Sequence, residues 1–138
     1  MPLPDKSLPF NEWYDLLIKP SWTPDVRVIG VIWGILYPII AVVYGYSIYQ
    51  VFQGKWPKYL LVPILLNVLC NALFTPVQFG LRNFILASVI VVAVFLTAVW
   101  SIIVLYKFSP ALAAALIPYA VWTLIASVLQ ISLTILNW

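Results

Sequence analysis

Histidine is absent from this chain of 138 residues, cysteine occurs once, and only four residues are acidic. Without histidine there is no side chain that ordinarily titrates near neutral pH, and the commonest metal and haem ligand is missing. The single Cys70 allows neither an intrachain disulfide nor a zinc-type spacing, and it reads as a small buried apolar residue. No Ser/His/Asp or Cys/His set, phosphate-cradling glycine loop or metal cluster can be assembled, which excludes hydrolytic and metal catalysis. Charge is scarce as well, at 8% of residues with a net of +3. The few lysines and arginines are dispersed at the ends of apolar runs, so the charge builds no nucleic-acid-binding surface. Within those runs there is neither a carboxylate nor a lysine, which argues against an ion-coupled transporter.

What the chain has in abundance is apolar surface: 64% of its residues are hydrophobic and its mean hydropathy is +1.06. Soluble domains hold roughly 45–50% apolar residues and about 25% charged ones, so this is an integral membrane protein. Residues 28–54, 59–81, 83–106 and 108–138 carry no charge, and each run meets the ~20 residues needed to cross the hydrocarbon. The predicted fold is an all-α, polytopic membrane bundle with four transmembrane helices near 27–52, 58–79, 84–106 and 111–137, forming one domain over 1–138. Short connections make successive helices antiparallel neighbours. Lys6, Lys19, Arg27 and Arg82 fall on one side and Lys55, Lys58 and Lys107 on the other, too even a division to fix orientation. The third span, with runs such as VIVVAVFL and only Ser88, Thr97 and Ser101 as polar side chains, is expected to be the most lipid-exposed.

The first 26 residues contain no signal-peptide core. Phe10, Trp13, Tyr14, Leu17 and Ile18 recur at helical spacing with Asn11, Glu12 and Asp15 opposite, which predicts a short interfacial helix ended by Pro20. As the spans already anchor the protein, this segment is expected to cover the mouth of the bundle.

Inside the membrane the polar and aromatic residues keep helical register. Trp33, Tyr37 and Tyr44 share a sector of about 40°, and Asn67, Asn71, Phe74 and Gln78 one of about 60°. On the last span Tyr119, Trp122, Ala126, Gln130, Leu133 and Asn137 fall on one face, with Ala126 leaving space beside Trp122. Carboxamides facing lipid would cost several kcal/mol each, so the amide stripe looks into the bundle. Two readings of it remain open: glue between helices at ~1 kcal/mol per contact, or the polar wall of a pocket. Trp56, Tyr59, Trp100, Tyr106 and Trp138 read as interface-belt anchors, and the Gly30/Gly34 pair as a mark of close helix packing. Pro38, Pro63, Pro76 and Pro118 are expected to kink or interrupt their helices. Together these features predict a pocket for a large flat or amphipathic molecule, stacked on aromatic faces and oriented by amides.

KPSWTP at 19–24, the VIWGILY run ending at Tyr37, N-x-x-x-N-x-x-F-T-P at 67–76, FGLRN at 79–83 and PYAVW at 118–122 resemble the TspO/translocator-protein family, the tryptophan-rich sensory proteins. The resemblance implies a helical membrane protein, often a homodimer, that binds porphyrins such as protoporphyrin IX, sterols and synthetic hydrophobic ligands among its helices. It requires no cofactor and takes porphyrin as ligand. Carried over by position, the implied ligand residues are Trp22 of the covering loop, Trp33, Tyr37, Asn67, Asn71, Phe74, Tyr119, Trp122 and Ala126. A prokaryotic cell membrane is expected rather than a mitochondrial one.

The chain departs from the family pattern in several places. The family has five spans, and this chain starts in the loop that follows the first. Asp25 replaces a proline, Phe74 stands where tryptophan is common, and Gln130 replaces an asparagine. Ile131 and Ile135 occupy the places of a sterol-recognition tyrosine and arginine, so sterol binding by that route is not expected. Three functions follow: a porphyrin receptor or sensor; a light-dependent porphyrin-degrading protein with Trp33 and Trp122 as electron donors; or a transport or structural partner protein with a degenerate pocket.

Overall fold

The computed structural model describes residues 17, 19–24, 26–77 and 83–137. The interfacial helix expected over the first residues and the position of Gln78 lie outside these. Among these residues five α-helices follow in order: α1 (Val26–Phe52), α2 (Leu61–Thr75), α3 (Phe84–Tyr106), α4 (Pro110–Ala115) and α5 (Ile117–Asn137), with a 3₁₀ turn at Lys58–Leu60 before α2. Among the described residues, three helical stretches are long and apolar enough to cross a membrane, Arg27–Phe52, Phe84–Tyr106 and Pro110–Leu136, and the apolar stretch Lys58–Phe74 is shorter. The protein is an all-helical, multi-pass membrane bundle.

Local chemistry sets the helix ends. Gly54, at φ +74°, closes α1: its N–H donates to the carbonyl of Val51 at 3.0 Å while that of Lys55 reaches Gln50 at 3.0 Å. This pairing caps the last carbonyls of a helix and needs a left-handed residue that only glycine adopts cheaply. The side chain of Asn83 accepts from the N–H of Leu86 to start α3, and that of Ser109 from Leu112 to start α4, where Pro110 takes a first-turn position. Proline effects depend on location. Pro63 sits in the first turn of α2, where its missing N–H costs nothing. Pro38 is held within an unbroken α1. Pro118 has no N–H for the carbonyl of Ala114, and the last span is interrupted at Leu116, dividing α4 from α5.

The centre of the bundle belongs to α3, which packs along α2 on one side and α5 on the other. This overturns the expectation that the third span is the most lipid-exposed. In its most apolar window 33% of residues are buried, against 22% for α1 and 44% for the last span. Ala87, Ala98 and Ser101 of α3 are fully buried, and such small residues let helix backbones approach closely where hydrophobicity gives no preference between lipid and protein. Hydroxyls lie between α3 and α5: Ser88 and Thr134 are 2.8 Å apart, and Ser127 Oγ, which donates to the carbonyl of Thr123 at 2.7 Å, is 3.3 Å from that of Val91.

Helix α1 approaches α2, α4 and α5 only sparsely and fills the intervening space with side chains, Leu36, Ile40, Val43 and Tyr44 all being buried. Among the described residues, no atom beyond the helix's own nearby backbone lies within 4 Å of a Cβ built on Gly30 or Gly34, so this pair does not mark close packing against them. At the far end of α1 an aromatic cluster fastens the loops: Trp56 meets Tyr46 at 5.8 Å and Phe108 at 5.7 Å, and Tyr59 meets Phe108 at 6.4 Å. Trp56 and Tyr59, read from the sequence as membrane-belt residues, take part in this clasp.

Candidate ligand site

The amide stripe of α2 becomes two different environments once neighbouring helices are in place. Asn67 is fully buried. Its Oδ1 accepts from the hydroxyls of Tyr44, at 2.8 Å, and Tyr119, at 3.0 Å; its Nδ2 donates to the carbonyl of Val94 at 2.9 Å and to Thr97 Oγ1 at 3.0 Å. A carboxamide has two donor hydrogens and two acceptor lone pairs, so the capacity of Asn67 is fully used. It ties α1, α2, α3 and α5 together near one point. One turn on, Asn71 is half-buried and, among the described residues, makes a single side-chain bond, Nδ2 to the hydroxyl of Tyr119 at 3.0 Å.

Beside this network lies a cleft between α1 and α2, lined by Tyr37, Ile40, Ala41 and Tyr44 from α1 and by Asn67, Val68, Asn71 and Ala72 from α2. Its volume is about 440 Å³, within the ~300–1,000 Å³ typical of small-molecule sites. The walls are apolar apart from the two asparagines and the tyrosine hydroxyls. Val68 and Tyr37 are about half-exposed, so the opening faces the space that lipid occupies.

An aromatic group backs the cleft. Trp33 stacks on Tyr37 with ring centres 5.1 Å apart, and meets Tyr119 and Trp122 edge to face, each at 6.3 Å. Trp33 and Trp122, both named from the sequence, lie side by side here. The two indoles are in contact, however, with planes at 82°, whereas a flat ring lying between them needs parallel faces roughly 7–8 Å apart, twice the contact distance of carbon atoms. In this conformation a ring enters that gap only if Trp33 swings away, while the cleft in front of Tyr37 is already open.

A model of the TspO/MBR family matches residues 4–136, encompassing the whole aromatic and amide constellation. The chain belongs to the TspO/MBR family. It is 34% identical over 127 residues to an uncharacterized membrane protein, YtaB, of Bacillus subtilis, covering 92% of this chain and 81% of that one. To the tryptophan-rich protein TspO of Bacillus cereus it is 37% identical over 125 residues, 91% of this chain and 80% of the relative. The tryptophan-rich sensory protein of Cereibacter sphaeroides is 27% identical over 128 residues, 93% and 78% of the two chains. A multi-pass protein with such bacterial relatives accords with the expected prokaryotic cell membrane.

Within this TspO/MBR chain, Tyr37, Asn67 and Asn71 line the cleft, and Trp33, Tyr119 and Trp122 form the aromatic group behind it. Phe74 and Ala126 are partly buried but are not among the lining residues. Trp22 is 48% exposed in a turn closed by Thr23, whose N–H and Oγ1 both donate to the carbonyl of Pro20 at 3.1 and 2.7 Å; it is not brought to the cleft. Ile40, Ala41, Val68 and Ala72 were not singled out from the sequence, although Ile40, Ala41 and Val68 each stand one turn from Tyr37, Tyr44 or Asn71 and Ala72 stands one turn from Val68, and that register was the signal available. Thr97, which orients Asn67, was noted only as an isolated polar residue. Three buried side-chain atoms have no hydrogen-bond partner among the described residues: Ser101 Oγ, Trp122 Nε1 and Gln130 Nε2.

Proposed function

We propose that this chain is a membrane receptor or sensor that binds porphyrin-type tetrapyrroles and related hydrophobic ligands within its bundle. The observation that carries this reading is the junction of the continuous ring surface of Tyr37, Trp33 and Trp122 with a lipid-facing cleft whose polar groups are uncharged. A large aromatic molecule dissolved in the bilayer stacks on such rings, and a few fixed dipoles orient it. The names of relatives such as the tryptophan-rich sensory protein support a sensing role. Assembly as a homodimer belongs to the same proposal, and light scattering of the protein–detergent complex tests it.

Titration of the purified protein with protoporphyrin IX should quench its tryptophan fluorescence saturably, and Trp33→Phe and Trp122→Phe should each weaken binding several-fold. Saturable quenching with the same midpoint in both variants would remove the site assignment. Absence of saturable quenching would remove the receptor reading.

Light-dependent breakdown of bound porphyrin is a second reading, favoured by the contact of two oxidisable indoles with each other and with Tyr37 beside the cleft. It requires different product spectra from illuminated and dark complexes, with the difference reduced by Trp33→Phe. Identical spectra end it.

A further inference from the structure

The cleft has a fixed hydrogen-bond polarity, and we infer that it selects membrane-dissolved molecules that donate an O–H or N–H hydrogen bond over isosteres that only accept one. This deepens the receptor reading and rests on it, since it takes the cleft between α1 and α2 as a ligand site. The argument starts at the carbonyl of Val94, which accepts and never donates. Because this oxygen lies 2.9 Å from one terminal atom of Asn67, that atom must be the nitrogen; the reverse orientation would set two carbonyl oxygens against each other. Thr97 agrees, because its hydroxyl is 2.7 Å from the carbonyl of Ala93 and uses its hydrogen there, leaving lone pairs for Asn67.

With the amide nitrogen so placed, Asn67 Oδ1 is an acceptor, and the hydroxyls of Tyr44 and Tyr119 must both donate to it. Tyr119 then has only lone pairs left, so the atom of Asn71 that sits 3.0 Å away must be its Nδ2. The remaining polar atom of Asn71 is its carbonyl oxygen. Among the described residues it has no hydrogen-bond partner, and it is not among the buried unpartnered atoms, so it keeps some exposure on a residue that lines the cleft. Tyr44 is fixed in the same sense, as a donor to Asn67. Tyr37, the other polar side chain of the cleft, has a hydroxyl that rotates and serves either polarity, so it adds no preference.

Depth makes this polarity count. Asn71 stands thirteen residues after Lys58 and eleven before Arg82, the charges that bound this apolar run, and so near the middle of a ~30 Å hydrocarbon layer. Lipid chains supply no donor there, and an unsatisfied carbonyl in hydrocarbon is costly. An occupant that brings one O–H or N–H satisfies it; an occupant that brings only an acceptor sets two oxygens face to face.

The test uses 4-phenylphenol and 4-methoxybiphenyl, flat probes of nearly equal shape that differ in the donor hydrogen. Binding to the full chain in detergent is measured by calorimetry, with partition into protein-free micelles subtracted. The phenol should bind about fivefold more tightly, the factor one net hydrogen bond confers. In Tyr119→Phe the lock on Asn71 is gone and its amide can turn over, so the ratio should fall toward one through a gain by the ether. In Asn71→Leu it should fall through a loss by the phenol. Equal binding of both probes to the wild type overturns the inference, as does an unchanged ratio in Tyr119→Phe; the wild-type comparison suffices if that variant does not fold. If neither probe binds while protoporphyrin IX still quenches saturably, the selectivity is refuted and the receptor reading stands; if protoporphyrin IX fails as well, both fall.

Discussion

Replacing Asn67 by leucine removes four side-chain hydrogen bonds in a single change that keeps the branching of the side chain. Polar contacts between membrane helices average ~0.6 kcal/mol each, so the loss should be roughly 2 kcal/mol if the four are independent. The hydroxyl of Tyr44 loses its acceptor outright, whereas that of Tyr119 can turn to the oxygen of Asn71, which keeps the figure from rising much further. Asn71→Leu is the internal control, since it removes one bond and should cost ~0.6 kcal/mol. Reversible unfolding in mixed micelles with increasing sodium dodecyl sulfate, followed by circular dichroism, gives both values on one scale. If Asn67→Leu is no more destabilising than Asn71→Leu, the assignment of Asn67 as the tie among four helices is wrong, and the two amides of the stripe are equivalent after all.

Gly54→Ala should cost about 1–2 kcal/mol, because any side chain at φ +74° strains the turn that ends α1; an unchanged unfolding midpoint would contradict that backbone. Trp56→Ala removes two ring contacts and should cost about 1–3 kcal/mol, with increased protease sensitivity of the loops before α2 and α4 as the specific readout. Ser109→Ala deletes the cap of α4 and should lower stability by ~1 kcal/mol, while Ser109→Asp retains most of it in the same unfolding assay.

Much of the site was legible because charge and period act locally. The charge-free runs mark the helices, and the 3.6-residue spacing places Trp33, Tyr37 and Tyr44 on one face and Asn67 and Asn71 on another. Period alone could not separate the two asparagines. Whether an amide is saturated or left with an open oxygen depends on Val94, Thr97 and Tyr119, which come from other helices. The third span was misjudged for a related reason. Polarity served as the sign of an interior helix, yet between lipid and a membrane-protein interior the choice turns on size and close packing, and Ala87, Ala98 and Ser101 were the relevant letters. The break at Leu116 followed from Pro118, whereas Pro38 sits in a continuous helix.

The sideways mouth of the cleft, flanked by the half-exposed Tyr37 and Val68, has a consequence for how affinity is expressed. A molecule arriving there comes from dissolved hydrocarbon, so the concentration that governs occupancy is moles per volume of bilayer. For a compound that partitions almost wholly into lipid, doubling the lipid at constant protein halves that concentration and doubles the apparent Kd stated per volume of water. Constants measured in different detergents or vesicle loads become comparable only after conversion to mole fraction in the membrane phase.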